Sequence, residues 1–225
     1  MKKERDTSIT AEGVPEPAAP SRRACPGAYG WRMHASMLLP LLGLLLVTGI
    51  IYGFWGEGVR VRMEAHRFTY PMITRVMNFF TDWGDKFLYA VYAVLLIRAT
   101  ARRDKAGIRF YLRYAVAAIL FAVVLTQLLK AGFGMPRPGY APPRDPFSFT
   151  SAYSSFPSGH TVSIIIAAMP MAFRLGSRWA FVLASLLIAV VGYSRIWLGV
   201  HHPVDILAGM ALGSFAVWSV FRVSR

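Results

Sequence analysis

Between Lys130 and Asp205 the sequence sets three short polar clusters among apolar runs: Lys130 to Arg137-Pro138, Pro157-Ser158-Gly159-His160, and Ser194-Arg195 followed by His201, His202 and Asp205. A guanidinium is a planar fork of donors that meets phosphate oxygens two at a time, and an ammonium adds a point charge, so Arg137, Arg195 and Lys130 suit a phosphate. His201 and Asp205 stand four residues apart, with Pro203 where a first helical turn would place it. A helix starting there turns Asp205 back towards His201. The carboxylate then holds the ring in one tautomer and leaves its other nitrogen free to attack phosphorus. His160 is placed to give a proton to the leaving oxygen and later to take one from water. Ser158 is an N-cap candidate, and Gly159 lets backbone N–H groups at a helix start approach an anion. The chemistry these types favour is phosphate capture followed by a phosphohistidine.

Each cluster also has a plainer reading. Arginine and lysine at the end of an apolar run snorkel to headgroups, a capped helix needs no ligand, and an aspartate at a helix start answers the macrodipole. A zinc site from His160, His201 and His202 is a further alternative. Adjacent histidines rarely point at one ion, and the only acid at the loop ends besides Asp205 is Asp145, so the expectation is a site with no metal and no other cofactor.

The elements that must bring these clusters together are long apolar blocks. The chain has 225 residues, of which 55% are hydrophobic. Ala35 to Trp55 contains no charged residue and matches the roughly 20 residues that cross a bilayer. Further spans are expected at about Phe87 to Ile97 with a start near Thr81, Tyr114 to Leu129, His160 to Phe173, Trp179 to Tyr193 and Pro203 to Phe221. The small residues Gly209, Ala211, Gly213 and Ser214 would let helices approach closely. Val59 to Trp83 alternates basic and apolar residues, as an amphipathic helix lying in the interface would. Residues 1–30 mix Lys, Glu, Pro, Ala and Ser without period and read as a disordered cytoplasmic tail. The expected fold is therefore all-α, a six-transmembrane-helix bundle over residues 31–225 with an interfacial segment between its first two spans.

Charge orients that bundle. With six spans, 16 of the 25 Lys and Arg share one side, including the Arg98 to Arg113 cluster. The positive-inside rule puts that side and both termini in the cytoplasm. The three polar clusters then fall on the outer, periplasmic or extracellular side of the cell (inner) membrane, where they meet only if the last four spans bundle together. The net charge of +14 is scattered between apolar spans and forms no single stripe, which speaks against nucleic acid as a partner. Cys25 has no second cysteine to pair with in the chain.

Taken together, Lys130-x6-Arg137-Pro138, Pro157-Ser158-Gly159-His160 and Ser194-Arg195-x5-His201-x3-Asp205 resemble the three-part signature of the type-2 phosphatidic acid phosphatase and vanadium haloperoxidase superfamily. The resemblance covers residues 81–220. It implies that Lys130, Arg137, Arg195, Ser158 and the Gly159 backbone bind phosphate, that His201 is the nucleophile with Asp205 as its partner, and that His160 is the acid. It also implies a six-helix membrane phosphatase that acts without metal on a phosphorylated lipid, of the phosphatidate, phosphatidylglycerophosphate, undecaprenyl diphosphate or lipid A type. A soluble haloperoxidase, a lipid phosphotransferase and a non-catalytic headgroup-binding protein are the competing functions.

Overall fold

The computed structural model describes residues 29–56, 58–141 and 150–222. The tail expected at residues 1–30 lies almost wholly outside the described residues, as does Asp145 of the loop before the second cluster. The described residues are all-helical: α1 (Trp31–Trp55), α2 (Gly58–Thr69), α3 (Pro71–Ala101), α4 (Lys105–Ala117) continuing through a π-helical stretch (Ala118–Leu125) into α5 (Thr126–Phe133), a 3-10 turn (Ser151–Tyr153), α6 (Gly159–Leu175), α7 (Arg178–Trp197) and α8 (Pro203–Arg222).

Local chemistry fixes several of these ends. Pro71 occupies the first turn of α3, where its missing N–H costs nothing, so a new helix starts there and ends α2. Asp104 caps α4 by accepting from the Ala106 and Gly107 amides, and Ser177 caps α7 by accepting from Ala180. Within the continuous helix, the Thr126 hydroxyl donates to the Phe121 carbonyl five residues back at 2.7 Å, which follows the wider π-helical turn.

Four stretches are long and apolar enough to cross a bilayer: Trp31–Phe54, Lys105–Phe133, Arg178–Trp197 and Pro203–Arg222. The protein is integral to a membrane. Two of the six expected spans fall short of that standard. Helix α6 is apolar but has only 17 residues, and α3 has 31 residues that include Arg75, Asp82, Asp85, Lys86 and Arg98.

Several boundaries differ from those expected. The second span was expected to start near Thr81, but α3 begins ten residues earlier at Pro71, because a proline and not the onset of apolar residues sets the start. The interfacial segment expected over Val59 to Trp83 is accordingly two pieces, α2 and the first turns of α3. The basic Arg98 to Arg113 cluster, which lies between two expected spans, is mostly helical, with only residues 102–104 between α3 and α4.

Helix α6 forms the centre. Residues Val162, Ile164, Ile165, Ile166, Ala167 and Met169 are fully buried, on one side among α1, α7 and α8 and on the other among α3, α4 and the π-helical stretch. It meets α8 at small residues: a Cβ on Gly209 would lie 2.8 Å from the Ser158 carbonyl oxygen, and one on Gly213 would lie 3.0 Å from Ile165 Cβ. That spacing places the head of α6 against the head of α8, where two of the three polar clusters sit.

Candidate active site

All the sequence-predicted site residues gather at one end of the bundle. Lys130 comes from the last turn of α5, Arg137 from the loop after it, Ser158, Gly159 and His160 from the start of α6, Arg195 from the last turn of α7, and His201 and Asp205 from the start of α8. The opposite end carries Arg98, Arg102, Arg103, Lys105, Arg174, Arg178 and Arg222.

Main-chain hydrogen bonds tie the clusters to one another. The Arg137 amide donates to the Ala152 carbonyl at 2.8 Å and the Ser155 amide donates to the Met135 carbonyl at 3.1 Å, clamping the first cluster alongside the approach to the second. The Ser158 amide donates to the Asp205 carbonyl at 3.0 Å, joining the second to the third. Within the third, the Arg195 carbonyl accepts from Val200 and His201 at 3.1 and 3.2 Å, so the turn that carries His201 folds back on the end of α7. Gly199 makes that turn at φ +69°, a conformation that L side chains rarely adopt. Arg67 of α2 closes over it, donating to the Trp197 carbonyl at 3.0 Å.

At the centre, His201 Nδ1 lies 3.4 Å from Asp205 Oδ2, with the two side chains 2% and 1% exposed. The ring nitrogen that remains is Nε2. Asp205 Oδ2 also accepts from the Ser155 hydroxyl at 2.5 Å and from the His202 amide at 2.8 Å. Burial depresses the basicity of His201 and the Arg195 charge adds to that, while the contact with Asp205 opposes both. The net direction is down, so the imidazole is neutral at neutral pH.

The cations converge on the same place. Lys130 interacts electrostatically with Arg137, Arg195 and Asp205, and its Nζ would stand 3.7 Å from a Cβ on Gly159. His160 interacts with Arg195, His201, Lys130 and Lys86. Arg137 Nε and Arg195 Nε are buried and have no hydrogen-bond partner among the described residues. Like charges drawn together out of water repel, and an anion between them relieves that cost.

Ser158 is at the N-cap as expected, but its hydroxyl caps nothing; it accepts instead from the Thr161 hydroxyl at 3.0 Å. His202, the third member of the zinc alternative, contributes its amide to Asp205. Among the described residues no three His, Cys, Asp or Glu side chains come together as a metal ion would need.

Three neighbours escaped the sequence reading. Ser155 is completely buried beside Asp205. Asp82 and Lys86 of α3 act on Arg195 and His160 respectively. A polar turn in an otherwise apolar helix is the signal that would have marked α3, and Ser155 is marked only by standing two residues before Pro157.

Comparison with known proteins fits this geometry. An undecaprenyl-diphosphatase of Sulfolobus acidocaldarius is 31% identical over 144 residues, which are 62% of this chain and 65% of that one. A lipid A 1-phosphatase of Rhizobium etli is 35% identical over 109 residues, 45% of each chain. The chain thus spans less than two thirds of the length of these curated relatives. Among solved structures, a transmembrane PAP2 type phosphatidylglycerolphosphate phosphatase from Bacillus subtilis shares the fold at a TM-score of 0.54 and 23% identity, covering 85% of this chain and 96% of that one. The pattern of the PAP2 superfamily runs through residues 110–225, which include every one of the three polar clusters, and the chain belongs to that superfamily.

Proposed function

We propose that the protein is a membrane lipid phosphatase that cleaves a phosphate monoester or diphosphate headgroup by way of a phosphohistidine on His201. The observation that carries this reading is the His201 to Asp205 contact, set among three buried or half-buried cations and a second imidazole. The phosphatase names of the relatives support it.

In this reading Lys130, Arg137 and Arg195 hold the nonbridging phosphate oxygens, with Ser158 and the Gly159 backbone at the head of α6. Asp205 accepts the Nδ1 proton of His201, so the lone pair on Nε2 attacks phosphorus. The bond from phosphorus to the lipid ester oxygen, or to the bridging oxygen of a diphosphate, breaks, and that oxygen takes a proton from His160. Water then attacks phosphorus and gives a proton to His160, while the phosphorus–nitrogen bond breaks, its electron pair returns to His201 Nε2 and inorganic phosphate leaves. Charge stabilisation comes from the three cations throughout, and the reading assigns no step to a metal.

We place α3 and α6 across the bilayer as well, making six spans, because α6 is enclosed by helices that cross. The basic end of the bundle then faces the cytoplasm and the site faces the outer side.

The test is phosphate release by the purified protein from phosphatidate, phosphatidylglycerophosphate, undecaprenyl diphosphate and lipid A, each with and without EDTA. Turnover of at least one lipid, insensitive to EDTA and inhibited by orthovanadate, is expected. Release from none of them contradicts the proposal, and loss of activity in EDTA returns the zinc alternative.

A further inference from the structure

The Ser155 hydroxyl occupies the corner between the two groups on which the reaction turns. It donates to Asp205 Oδ2 at 2.5 Å and stands 3.5 Å from His201 Nδ1, beyond the range of a good hydrogen bond. The same carboxylate oxygen receives the His202 amide at 2.8 Å and faces His201 Nδ1 at 3.4 Å. A carboxylate oxygen has about two lone-pair positions, so three donors on Oδ2 compete and the imidazole holds the longest contact. Asp205 Oδ1, meanwhile, is buried and has no partner among the described residues.

We propose that Ser155 is a positioning residue: its hydroxyl takes up part of the Asp205 charge and holds the carboxylate back from His201, keeping the imidazole a neutral nucleophile. The proposal rests on the phosphohistidine reading above. A carboxylate that already accepts a strong hydrogen bond attracts an adjacent imidazolium less. Ser155 is suited to this because its backbone is held as well as its side chain, the amide donating to Met135. The other charged or titratable groups facing His201 are Arg195, Lys130 and His160, from α7, α5 and α6. The two cations disfavour a proton on it, leaving Asp205 as the one group that favours it. Burial disfavours the proton most, and the Asp205 contact is what opposes it, so the strength of that contact tunes the ring.

Without the hydroxyl, Asp205 is free to close on Nδ1, and the imidazole becomes more basic. The test uses the full chain in lipid nanodiscs with 13C-labelled histidine, the His201 signal being identified by its loss in His201→Gln. In Ser155→Ala the His201 titration is expected to move to higher pH, and the acid limb of kcat/KM to move with it. Turnover should fall at acidic pH, where the ring now carries a proton, and recover at higher pH, with KM unchanged. Ser155→Thr, which keeps the hydroxyl, should restore the wild-type titration. In an Asp205→Asn background Ser155→Ala should shift nothing further, because its path runs through the carboxylate.

An unchanged His201 titration in folded Ser155→Ala overturns the proposal, as does a shift that persists alongside Asp205→Asn. So does failure of both Ser155→Ala and Ser155→Gly to fold, which would make Ser155 structural only. Absence of lipid turnover in the wild-type protein would instead overturn the phosphatase reading, and the titration remains readable in that case.

Discussion

The Ser158 amide donates to the Asp205 carbonyl at 3.0 Å, so the first turn of α6 and the first turn of α8 are one hydrogen-bonded unit. His160 stands two residues beyond one end of that bond and His201 four residues before the other. The proposed acid and nucleophile are thereby held in a fixed relation by backbone, not by long side chains.

This unit depends on Gly209. A Cβ there would fall 2.8 Å from the Ser158 carbonyl oxygen and 2.9 Å from Thr161 Cβ, and the backbone atom has nowhere cheap to go. Gly209→Ala should destabilise the protein by about 1–3 kcal/mol, the usual cost of forcing a methyl group into a packed interior. Thermal unfolding in detergent measures it, and turnover at temperatures below the transition should fall too as α6 and α8 part.

Arg137 and Arg195 should each matter mostly in the transition state. Alanine at either position is expected to lower kcat/KM by about 3 kcal/mol, a factor on the order of 10². Lysine should recover only part of that, since it keeps the charge and loses the fork. Steady-state kinetics on the preferred lipid decides it.

The direction of the His201 shift fixes a pH dependence. Burial holds the folded-state value below the ordinary one, which is about 6.5, and the neutral ring is the proposed nucleophile. Activity should therefore persist as pH drops past about 6.5 and fall only when the folded protein takes up the proton. A group of this kind stabilises the fold above its unfolded value and withdraws that stability as pH falls through its folded value. A profile of kcat/KM against pH whose acid limb is centred above about 7 would contradict the assignment.

His160 as general acid predicts a dependence on the leaving group. His160→Ala should lower kcat/KM for a lipid monophosphate by about 10²–10⁴, and should lower kcat/KM for p-nitrophenyl phosphate much less, because nitrophenolate leaves without a proton and kcat/KM ends at phosphoryl transfer, before His160 acts as base. Equal losses on both substrates would remove His160 from that role.

The sequence made the site more legible than the helices that carry it. Lys130, Arg137, His160, Arg195, His201 and Asp205 are polar residues at the ends of apolar runs, where side-chain chemistry is legible one residue at a time, and all of them meet. Hydropathy was a poorer guide to α3, whose start is set by Pro71 and whose polar turn from Asp82 to Lys86 borders the site. It also concealed the difference between α6, buried by protein on all sides, and α1, whose Leu39, Leu46 and Val47 are exposed. Both are apolar, and composition does not record what an apolar face touches. Ser155 was marked only by its place two residues before Pro157, because a single serine in a polar loop gains meaning only from Asp205, fifty residues away.

The measurement that bears most directly on the mechanism is a rapid-quench reaction of the purified protein with lipid carrying 32P in its terminal phosphate. A transient label on the protein is expected, stable in alkali and labile in acid as phosphohistidine is, located on the peptide containing His201 and absent from His201→Ala. Phosphate release by His201→Ala at the wild-type rate, or a label of the same size on that variant, would contradict the account.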